Sequence, residues 1–530
     1  MYHINPCDHC ASRYNAWNTG ERMRTIGISE ALEPLVLAID VGSSSVRALL
    51  YDRIGDQVAG SERQLAYTQR MTPDGGSESD PVQLLDLATM CVDGVVNNRA
   101  FGGAPIAAVG MTSFWHGLMG IDQSGAPCTP VFMWSDKRSG DDATRLVSEL
   151  DVRDVHQRTG CRIHSSYWPA KIRWFQRTQP DAFLKVQQWL SVTDYLHREF
   201  FGHLATSISM ASGTGLLNGT TLAWDEEMLD VLQLRDDALP EIQDRARPYT
   251  GLRSDLAARW PALSDVPWYP AIGDGAAANV GAGCVGPGLI AMTIGTSAAM
   301  RLIMTADPDR EQPAALPHRI WRYQLDRAHQ VLGGALSNGG NVTGWFAGHL
   351  ALGDFDALTE AATLVEPDGH GLTILPFLAG ERSPSWNENA TGTISGIRLS
   401  TTAGDLFRAT LEATAYRMAA IYDDVKLLAA PAHEIHANGG AVLSSPLWLQ
   451  IIADALNHRL DAVDAEAEAS ARGAAICALE SLGVLASLRD LDNTVSDSYI
   501  PDAPAHDRYR RARDRQTDLE AAVTSLAAPH

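Results

Sequence analysis

Residues 35–52, which read LVLAIDVGSSSVRALLYD, constrain the fold more than any other stretch of the chain. Two apolar runs flank a short turn of small residues, and this pattern predicts a β-hairpin. The turn runs from Gly42 to Ser45, so its backbone N–H groups can converge on a phosphate while the serine hydroxyls add donors. Asp40 is placed to hold a magnesium ion, and Arg47 can reach a phosphate from the second strand. For this stretch alone, an ordinary hairpin with a polar tip explains the pattern equally well.

A second copy of this pattern lies far down the chain. Residues 289–303 read LIAMTIGTSAAMRLI, which is again an apolar run, a Gly-Thr-Ser turn and another apolar run. Two such hairpins in two halves of the chain predict a duplicated α/β architecture, in which each half grips the phosphates of a nucleotide in the cleft between them. This arrangement resembles the two-domain actin-like ATPase (ribonuclease H-like) fold that actin, heat-shock chaperones and sugar kinases share, with nucleotide and sugar in the interdomain cleft.

The length and charge of the chain restrict its organisation and its partners. With 530 residues the chain is too long for one hydrophobic core, so two large domains are expected. A formal net charge of −22 argues against a nucleic-acid partner or an anionic membrane surface, since both need clustered Lys and Arg. No apolar run approaches the length that spans a bilayer, and the amino terminus lacks the apolar core of a signal peptide. We therefore expect a cytoplasmic protein with no nucleic-acid and no membrane partner.

Seven cysteines are scattered through the chain, and an odd number fits reduced thiols better than a disulfide framework. Cys7 and Cys10 form a Cys-x-x-Cys pair with His9 between them and His3 nearby. No second pair lies at the spacing of a zinc site, so we favour a metal-free tail over a metal site here.

Composition divides the chain into four parts. The beginning is polar and aperiodic and precedes the first strand, so it is interpreted as a mobile amino-terminal extension. The end alternates Asp and Arg with few apolar positions, which predicts a solvated carboxy-terminal helix. Between them, a Pro- and Trp-rich connection separates two large domains. The predicted parts are residues 1–34, 35–270, 271–500 and 501–530.

Two short segments after predicted strands carry residues suited to a polyol. His116 follows the apolar run of residues 106–112, and Trp134, Asp136 and Arg138 follow another short strand. Aromatic faces pack on the C–H surfaces of a sugar while polar groups bond its hydroxyls. The alternatives are a structural histidine, and a tryptophan that covers the core beside a surface Asp–Arg pair.

Two glycine-rich stretches mark the second half. Asp274 lies between Gly273 and Gly275, after a strand-like segment and before an Ala-rich helix, so its carboxylate can face the cleft; a simple N-cap is the alternative. Its place at the junction of the two halves favours the functional role. Further on, Gly439 and Gly440 follow a strand, and a Gly-Gly turn lets an adenine lie against the backbone without Cβ interference.

A longer motif makes the resemblance specific. Residues 392–397, GTISGI, are followed by a seven-residue gap and then by residues 405–412, DLFRATLE. Together they meet the second signature of the FGGY carbohydrate kinases at every restricted position. Residues 171–175, KIRWF, fit the second half of the first signature, although Trp168 stands where that family has Pro, Ser or Thr. From residue 35 to about residue 500, the chain therefore resembles the FGGY carbohydrate kinase family.

The resemblance implies roles for individual residues. Asp40 resembles the aspartate on the magnesium side, Arg47 a phosphate-contacting catalytic arginine and Asp274 the catalytic base. The cofactors ATP and Mg²⁺ are expected, with the nucleotide at Gly42, Ser43, Ser44, Gly295, Thr296, Gly340, Gly439, Gly440 and Ser444. The sugar is expected at Trp115, His116, Trp134, Asp136, Arg138, Asp274, Arg382 and Trp386. Trp115 departs from the pattern of the family, which usually has Met before the histidine.

The segment at residues 380–392 distinguishes branches within the family. It reads GERSPSWNENATG, and the Trp after Glu-Arg-x-Pro resembles the gluconokinases, whereas xylulokinases usually have His-Asn-Asp there. The resemblance implies phosphorylation of D-gluconate to 6-phosphogluconate, with xylulose or another ketose or polyol as the alternative. The carboxylate of gluconate needs a basic partner, for which Arg382 and Arg138 are the candidates. The implied partner is a small sugar or sugar acid, and a homodimer is one expected assembly.

The rival hypothesis from another class is a non-catalytic actin-like protein that uses nucleotide to switch a partner interface. Loss of Asp40 or Asp274 would favour that class, and both residues are present. A nucleotide-binding dehydrogenase is disfavoured because no Gly-x-Gly-x-x-Gly follows the first strand. Motif specificity therefore favours the sugar kinase.

Overall fold

The computed structural model describes residues 25–101, 105–235, 237–305, 315–350, 353–463, 468–490 and 495–527. The Cys-x-x-Cys pair and most of the amino-terminal extension lie outside these ranges. The described residues form two α/β halves, each built on a seven-stranded sheet. The duplicated architecture expected from the two hairpins is therefore confirmed.

The strands of the first half are β1 (Thr25–Ile26), β2 (Leu35–Val41), β3 (Ser45–Tyr51), β4 (Gln57–Val58), β5 (Arg63–Ala66), β6 (Arg70–Met71), β7 (Ser77–Ser79), β8 (Ile106–Ser113), β9 (Met119–Ile121), β10 (Val131–Phe132), β11 (Gln188–Leu190), β12 (Ala205–Ser207), β13 (Leu217–Asn218), β14 (Ala223–Trp224), β15 (Glu241–Gln243) and β16 (Ile272–Gly273). The large sheet has the order β1–β4–β3–β2–β8–β16, with β5 beside β3. β2 and β3 pair antiparallel as the first predicted hairpin, and β8 and β16 continue the sheet in parallel. β1 pairs with β4, so the last residues of the predicted extension join this sheet.

The strands of the second half are β17 (Leu289–Ile294), β18 (Ala298–Thr305), β19 (Trp321–Gln324), β20 (His329–Leu336), β21 (Thr373–Leu375), β22 (Thr393–Ser395), β23 (Glu434–Asn438), β24 (Leu460–Val463) and β25 (Val495–Tyr499). The large sheet has the order β19–β20–β18–β17–β23–β24–β25. β17 and β18 form the second predicted hairpin, and β23 lies parallel to β17. Each half therefore places a hairpin beside parallel strands.

The helices are α1 (Pro81–Val96), α2 (Gly140–Glu149), α3 (Val152–Thr159), α4 (Trp168–Thr178), α5 (Pro180–Phe183), α6 (Val192–Phe201), α7 (Ile208–Ser212), α8 (Glu226–Leu232), α9 (Ser254–Arg259), α10 (Asp274–Gly281), α11 (Gly340–His349), α12 (Phe355–Thr363), α13 (Ala403–Val425), α14 (Gly440–Leu443), α15 (Pro446–Leu456), α16 (Ala469–Ser481) and α17 (Ala503–Ala527). Among the described residues, none of these helices is both long enough and apolar enough to cross a membrane.

Helix α13 explains part of the second signature. Thr402 and Asp405 form a capping box, in which each side chain accepts from the backbone N–H of the other residue. Glu412 lies later in the same helix and is buried. Its carboxylate accepts from Arg408 at 2.6 Å and from His370 at 2.9 Å. The signature residues therefore start this helix and join it to its neighbours.

Helices α10 and α16 cross with their backbones in contact. A Cβ on Gly473 would lie 1.8 Å from the Ala277 carbonyl oxygen, and one on Gly281 would lie 1.9 Å from the Ala469 carbonyl oxygen. α16 also packs on β2 and β8, and α10 directly follows β16. Both helices come from the predicted second domain in sequence, yet they lie on the sheet of the first half.

Helix α17 differs from the fully solvated helix that its alternating charges predicted. Ala505, Tyr509, Ala512 and Gln516 form one buried face. The Tyr509 hydroxyl accepts from the Arg408 guanidinium at 2.6 Å. One buried residue in every three or four gives a weak apolar stripe, which the exposed Arg and Asp residues obscure in the sequence.

Candidate active site

The first predicted phosphate turn connects β2 to β3 and is partly exposed. The carbonyl oxygens of Gly42 and Ser43 accept from Tyr67 Oη at 2.7 Å and Gln69 Nε2 at 2.6 Å. Within the described ranges, the N–H groups of Ser43 and Ser44 have no acceptor. Because the carbonyl oxygens are occupied and the N–H groups are not, this turn is suited to an anion.

The second predicted phosphate turn, after β17, lies against two glycine-rich loops. The N–H of Gly340 donates to the Gly295 carbonyl oxygen at 2.8 Å, and that of Gly339 donates to Thr296 at 3.2 Å. Gly439 has a φ of 102°, and a Cβ there would lie 2.6 Å from the β17 backbone. A Cβ on Gly295 would meet no atom within 4 Å, so the space beside this turn is open. The three loops meet at the carboxyl ends of parallel strands, where α/β proteins bind ligands.

The remaining predicted nucleotide residues extend this edge. Gly440 begins α14 and Ser444 follows it, both directly after β23. The exposed Ser444 hydroxyl donates to the Ala441 carbonyl oxygen at 3.1 Å. An open turn in each half and a glycine-lined edge beside one of them fit a nucleoside triphosphate.

Asp40, near the end of β2, and Asp274, at the start of α10, influence each other electrostatically. Burial raises the pKa of Asp40 to about 6; the Arg47 guanidinium opposes this shift and the Asp274 carboxylate adds to it. Burial also raises the pKa of Asp274, against the Arg301 guanidinium and the Gly275 N–H, which donates to Asp274 Oδ1 at 2.7 Å. Asp40 beside a phosphate turn fits the one-carboxylate coordination that Mg²⁺ often has when it also binds phosphate oxygens and water.

Arg47 is held beside the first phosphate turn by acidic and hydroxyl groups. It forms an ion pair with Glu468, its Nε lies 3.8 Å from Asp40 Oδ2, and its Nη2 donates to Ser45 Oγ at 3.3 Å. The sequence analysis missed Glu468, because a lone Glu before a helix carries no motif. The one sequence feature that could have pointed to Glu468 is its position immediately before the Ala-rich helix α16.

Trp115 and His116 follow β8, and Trp115 lies beside Asp274. The Trp115 indole N–H donates to a carbonyl oxygen of α7 at 2.9 Å, and its ring occupies the space where a Cβ on Gly273 would lie. His116 has a φ of 69°, and its Nδ1 hydrogen-bonds the Gly213 carbonyl oxygen. Burial lowers the pKa of His116 to about 3, so the ring is neutral at ordinary pH. Trp115, which stands where the family usually has Met, therefore packs against the backbone of Gly273, directly before Asp274.

Lys171, from the first signature, holds the two sugar segments together. Its ammonium donates to the carbonyl oxygens of His116 at 2.8 Å, Phe132 at 3.3 Å and Met133 at 2.8 Å. Burial lowers the pKa of Lys171 to about 7. Trp168, which departs from the signature, donates its indole N–H to the next carbonyl oxygen after His116 at 3.1 Å. Both residues therefore hold the same loop.

Replacing Lys171 with Met will lower the free energy of unfolding by about 3 kcal/mol, because three buried carbonyl oxygens lose their shared hydrogen-bond donor. The KM for the sugar will rise as the His116 and Trp134 segments loosen, while the KM for ATP will stay near the wild-type value. Urea unfolding followed by tryptophan fluorescence and steady-state kinetics measure these effects. Lys185→Met, at an exposed position, is the control. A wild-type unfolding midpoint in Lys171→Met would contradict this role.

The Trp-x-Asp-x-Arg segment is held by ion pairs. Arg138 Nη2 lies 2.5 Å from Asp136 Oδ2 and 2.8 Å from Glu78 Oε1. Its guanidinium also lies 4.4 Å from the centroid of the Trp174 ring. Two carboxylates already neutralise Arg138, so of the two arginines considered for a substrate carboxylate, Arg382 is the better placed.

Arg382 lies over the Trp134 ring, 5.1 Å from its centroid. Its Nε is buried and has no hydrogen-bond partner in the part of the chain that the structure describes. The electrostatic fields of Asp274, Tyr167 and Tyr323 reach its guanidinium. An available cation therefore lies between the predicted sugar aromatics and the predicted base.

The segment that carries Arg382 bridges the two halves. Trp386 has a φ of 56°, and its indole N–H donates to the Arg319 carbonyl oxygen at 3.1 Å. Glu388 accepts from the Ser165 hydroxyl, and Lys137 Nζ donates to the carbonyl oxygen just before this segment at 3.1 Å. Residues 380–392 thus cover the sugar end of the site from the second half.

Arg301 is a second cation that the sequence analysis missed. It lies in β18, whose other residues are AAM before it and LIMT after it. Its Nε is buried and, within the described ranges, has no hydrogen-bond partner. The sequence did contain an indication, which was a single charged residue inside a strand predicted to be buried. Burying an unpaired charge costs free energy, so such a residue suggests a functional role.

Comparison with known proteins places these observations in a family. The models of the amino- and carboxy-terminal domains of the FGGY family of carbohydrate kinases match residues 35–281 and 290–482. A gluconokinase from Bacillus subtilis is 28% identical over 88% of this chain and 91% of its own length. A glycerol kinase from Paraburkholderia phymatum is also 28% identical, over 93% of this chain and 99% of its own length.

Solved structures agree with this placement. A ligand-bound xylulose kinase from Lactobacillus acidophilus matches with a TM-score of 0.84 and 24% identity, covering 92% of this chain and 98% of its own. A gluconate kinase from the same organism matches with a TM-score of 0.83, the same identity and the same coverage. These likenesses show the fold, and the family models together cover most of the sequence. The chain belongs to the FGGY family of carbohydrate kinases.

Proposed function

We propose that this protein transfers the γ-phosphoryl group of Mg-ATP to the terminal hydroxyl of D-gluconate, giving 6-phosphogluconate. The observation that carries the proposal is the Arg382 guanidinium, which lies over Trp134 and whose buried Nε has no hydrogen-bond partner in the described ranges. A cation in a sugar site favours a substrate with a carboxylate. The Bacillus subtilis gluconokinase, at 28% identity, supports the same substrate.

The arrangement of backbone and side chains supports this reaction. The N–H groups of Ser43 and Ser44, which have no acceptor among the described residues, and the open turn at Gly295 and Thr296 would hold the phosphates from both sides. Mg²⁺ beside Asp40 would neutralise charge on the phosphate oxygens. Phosphoryl transfer needs mainly positioning and charge neutralisation from the protein, which these groups supply.

Asp274 acts as the general base in this proposal. Burial raises its pKa, which strengthens it as a proton acceptor, while the Gly275 N–H and the Arg301 charge oppose that rise. It would accept the proton of the sugar hydroxyl as the hydroxyl attacks the γ-phosphorus. Arg47 would steady the phosphoryl group, and residues 380–392 would exclude water from the sugar end.

A ketose such as xylulose is the second candidate substrate. The Lactobacillus acidophilus xylulose kinase has a TM-score of 0.84 to this chain, which supports it. The neutral His116 ring can donate or accept one hydrogen bond to a sugar hydroxyl and does not require a charged substrate.

A coupled ADP-release assay with Mg-ATP tests the proposal. The panel contains gluconate, xylulose, ribulose and glycerol at matched concentrations. We expect one strong response, to gluconate. A response to xylulose alone would replace gluconate with the ketose. Silence on all four sugars with ATP still bound would reject both candidates.

Replacing Arg382 with Ala will raise the KM for gluconate by about 10- to 100-fold, because a charge-assisted contact to the carboxylate is lost. The KM for a neutral polyol accepted by the wild type should change less than about threefold. The exposed Arg398→Ala serves as the control for loss of a charge. Equal losses for the acid and the neutral polyol would refute the carboxylate contact.

A further inference from the structure

Arg301 lies directly beside the predicted base. A Cβ on Gly275, the residue after Asp274, would lie 3.0 Å from Arg301 Nε. The groups whose charges act on Arg301 are Asp274, Arg382 and Tyr323. The same Cβ on Gly275 would lie 2.9 Å from the ring of Trp115, one of the predicted sugar residues, so Arg301 lies at the sugar end of the site.

Arg301 and Arg382 have the same unusual environment. In the described part of the chain, the Nε of each is buried without a hydrogen-bond partner, and neither guanidinium has a carboxylate within ion-pair distance. Their positive charges repel each other. Asp274 is the acidic group whose field reaches both, and one carboxylate balances only one of the two charges. Retaining two such cations costs stability, so a bound anion that pairs with both is the simplest reason for them.

We propose that Arg301 and Arg382 together bind the carboxylate of a sugar-acid substrate, and that this pair selects open-chain sugar acids over neutral polyols of the same length. The inference rests on the proposed function and adds the residue that the sequence analysis did not identify. Two guanidiniums can direct N–H groups at both oxygens of one carboxylate. A single arginine that lies over a tryptophan ring can donate fewer hydrogen bonds to those oxygens. The phosphoryl group in transfer offers the same oxyanion chemistry, and the experiment must separate the two.

The test compares gluconate with gluconamide, which keeps every hydroxyl but has no charge. In Arg301→Gln we expect the KM for gluconate to rise about 10- to 100-fold, the KM for gluconamide to change less than about threefold and the KM for ATP to stay unchanged. Arg301→Lys should recover part of the preference for the acid, because it restores the charge without the planar fork. Arg327→Gln, at an exposed position, controls for net charge.

Stability supplies a second readout. Because Arg301 has no hydrogen-bond or ion-pair partner within the described ranges, Arg301→Gln should melt at or above the wild-type temperature without substrate. Gluconate should raise the melting temperature of the wild type by more than it raises that of the variant. A residue that only supports the fold would instead lower the melting temperature when replaced.

The outcomes separate this inference from the choice of gluconate. If the wild type ignores gluconate, calorimetric titration of other sugar acids against their amides replaces the kinetic test. An acid preference that Arg301→Gln removes would then support the inference while the gluconate proposal fails. Equal losses on acid and amide, or a raised KM for ATP, would assign Arg301 to the phosphoryl group. A wild type that prefers no acid over its amide would overturn the inference.

Discussion

Replacing Asp274 with Asn will lower sugar-dependent turnover by about a thousandfold while the fold and ATP binding stay intact. Asn has nearly the same shape but cannot accept the proton of the attacking hydroxyl. The Asp274 side chain accepts from the Gly275 N–H at 2.7 Å, and an amide oxygen can accept the same bond, so helix α10 should still begin at this residue. The loss is therefore expected in kcat more than in either KM.

The measurement is ADP release with saturating substrate, together with calorimetric titration of ATP and a thermal melt. Asp356→Asn is the matched control, since Asp356 is an exposed carboxylate in the first turn of α12. Near wild-type turnover in Asp274→Asn would remove Asp274 from the role of base. An equal loss of turnover in Asp356→Asn would show that the effect comes from replacing any carboxylate in the first turn of a helix.

Replacing Gly473 with Ala will lower the free energy of unfolding by about 3 kcal/mol and also reduce turnover. The new Cβ would lie 1.8 Å from the Ala277 carbonyl oxygen, and the atoms nearest to it belong to a backbone that cannot rotate away. Helices α10 and α16 must therefore separate. Since α10 begins at Asp274, the base moves with its helix.

Thermal melting and kinetics on the same preparation test this prediction. Gly348→Ala is the control, because Gly348 is also helical but a Cβ there would meet no atom within 4 Å. That variant should be unchanged or more stable by up to about 1 kcal/mol. If both substitutions leave the melting temperature unchanged, the helix crossing is less tight than the structure indicates.

The parts of the fold that were predictable are those determined by local pattern. The hairpins at residues 35–52 and 289–303 were found because apolar runs around a small-residue turn need no distant partner to be recognised. Helix α1 has an equally local pattern, since it begins at a Pro and repeats apolar residues at helical spacing. In contrast, β16 is only two residues long, and its place beside β8 depends on a contact with a strand far away in sequence.

The site shows the same division. Asp274 and the phosphate turns could be proposed from the sequence because each lies in a short local motif. Two features could not be predicted, because each depends on distant side chains: the Arg301 Nε has no hydrogen-bond partner among the described residues, and Arg47 forms an ion pair with Glu468. For Arg138 the sequence left open a free cation or a pair with Asp136, and the structure shows that pair together with a second carboxylate partner, Glu78.

The crossing of α10 and α16 bears on whether ATP is used to phosphorylate the sugar or is hydrolysed by water. This crossing fastens Asp274 to the first half, whereas Arg301 and Arg382 belong to the second. In the proposed complex, a sugar acid would therefore connect the halves, and part of its binding free energy would draw them together. A neutral sugar would make one of these attachments and leave the cleft open more often. Selectivity for the sugar acid and protection of ATP from hydrolysis would then both come from closure of the two halves around the acid.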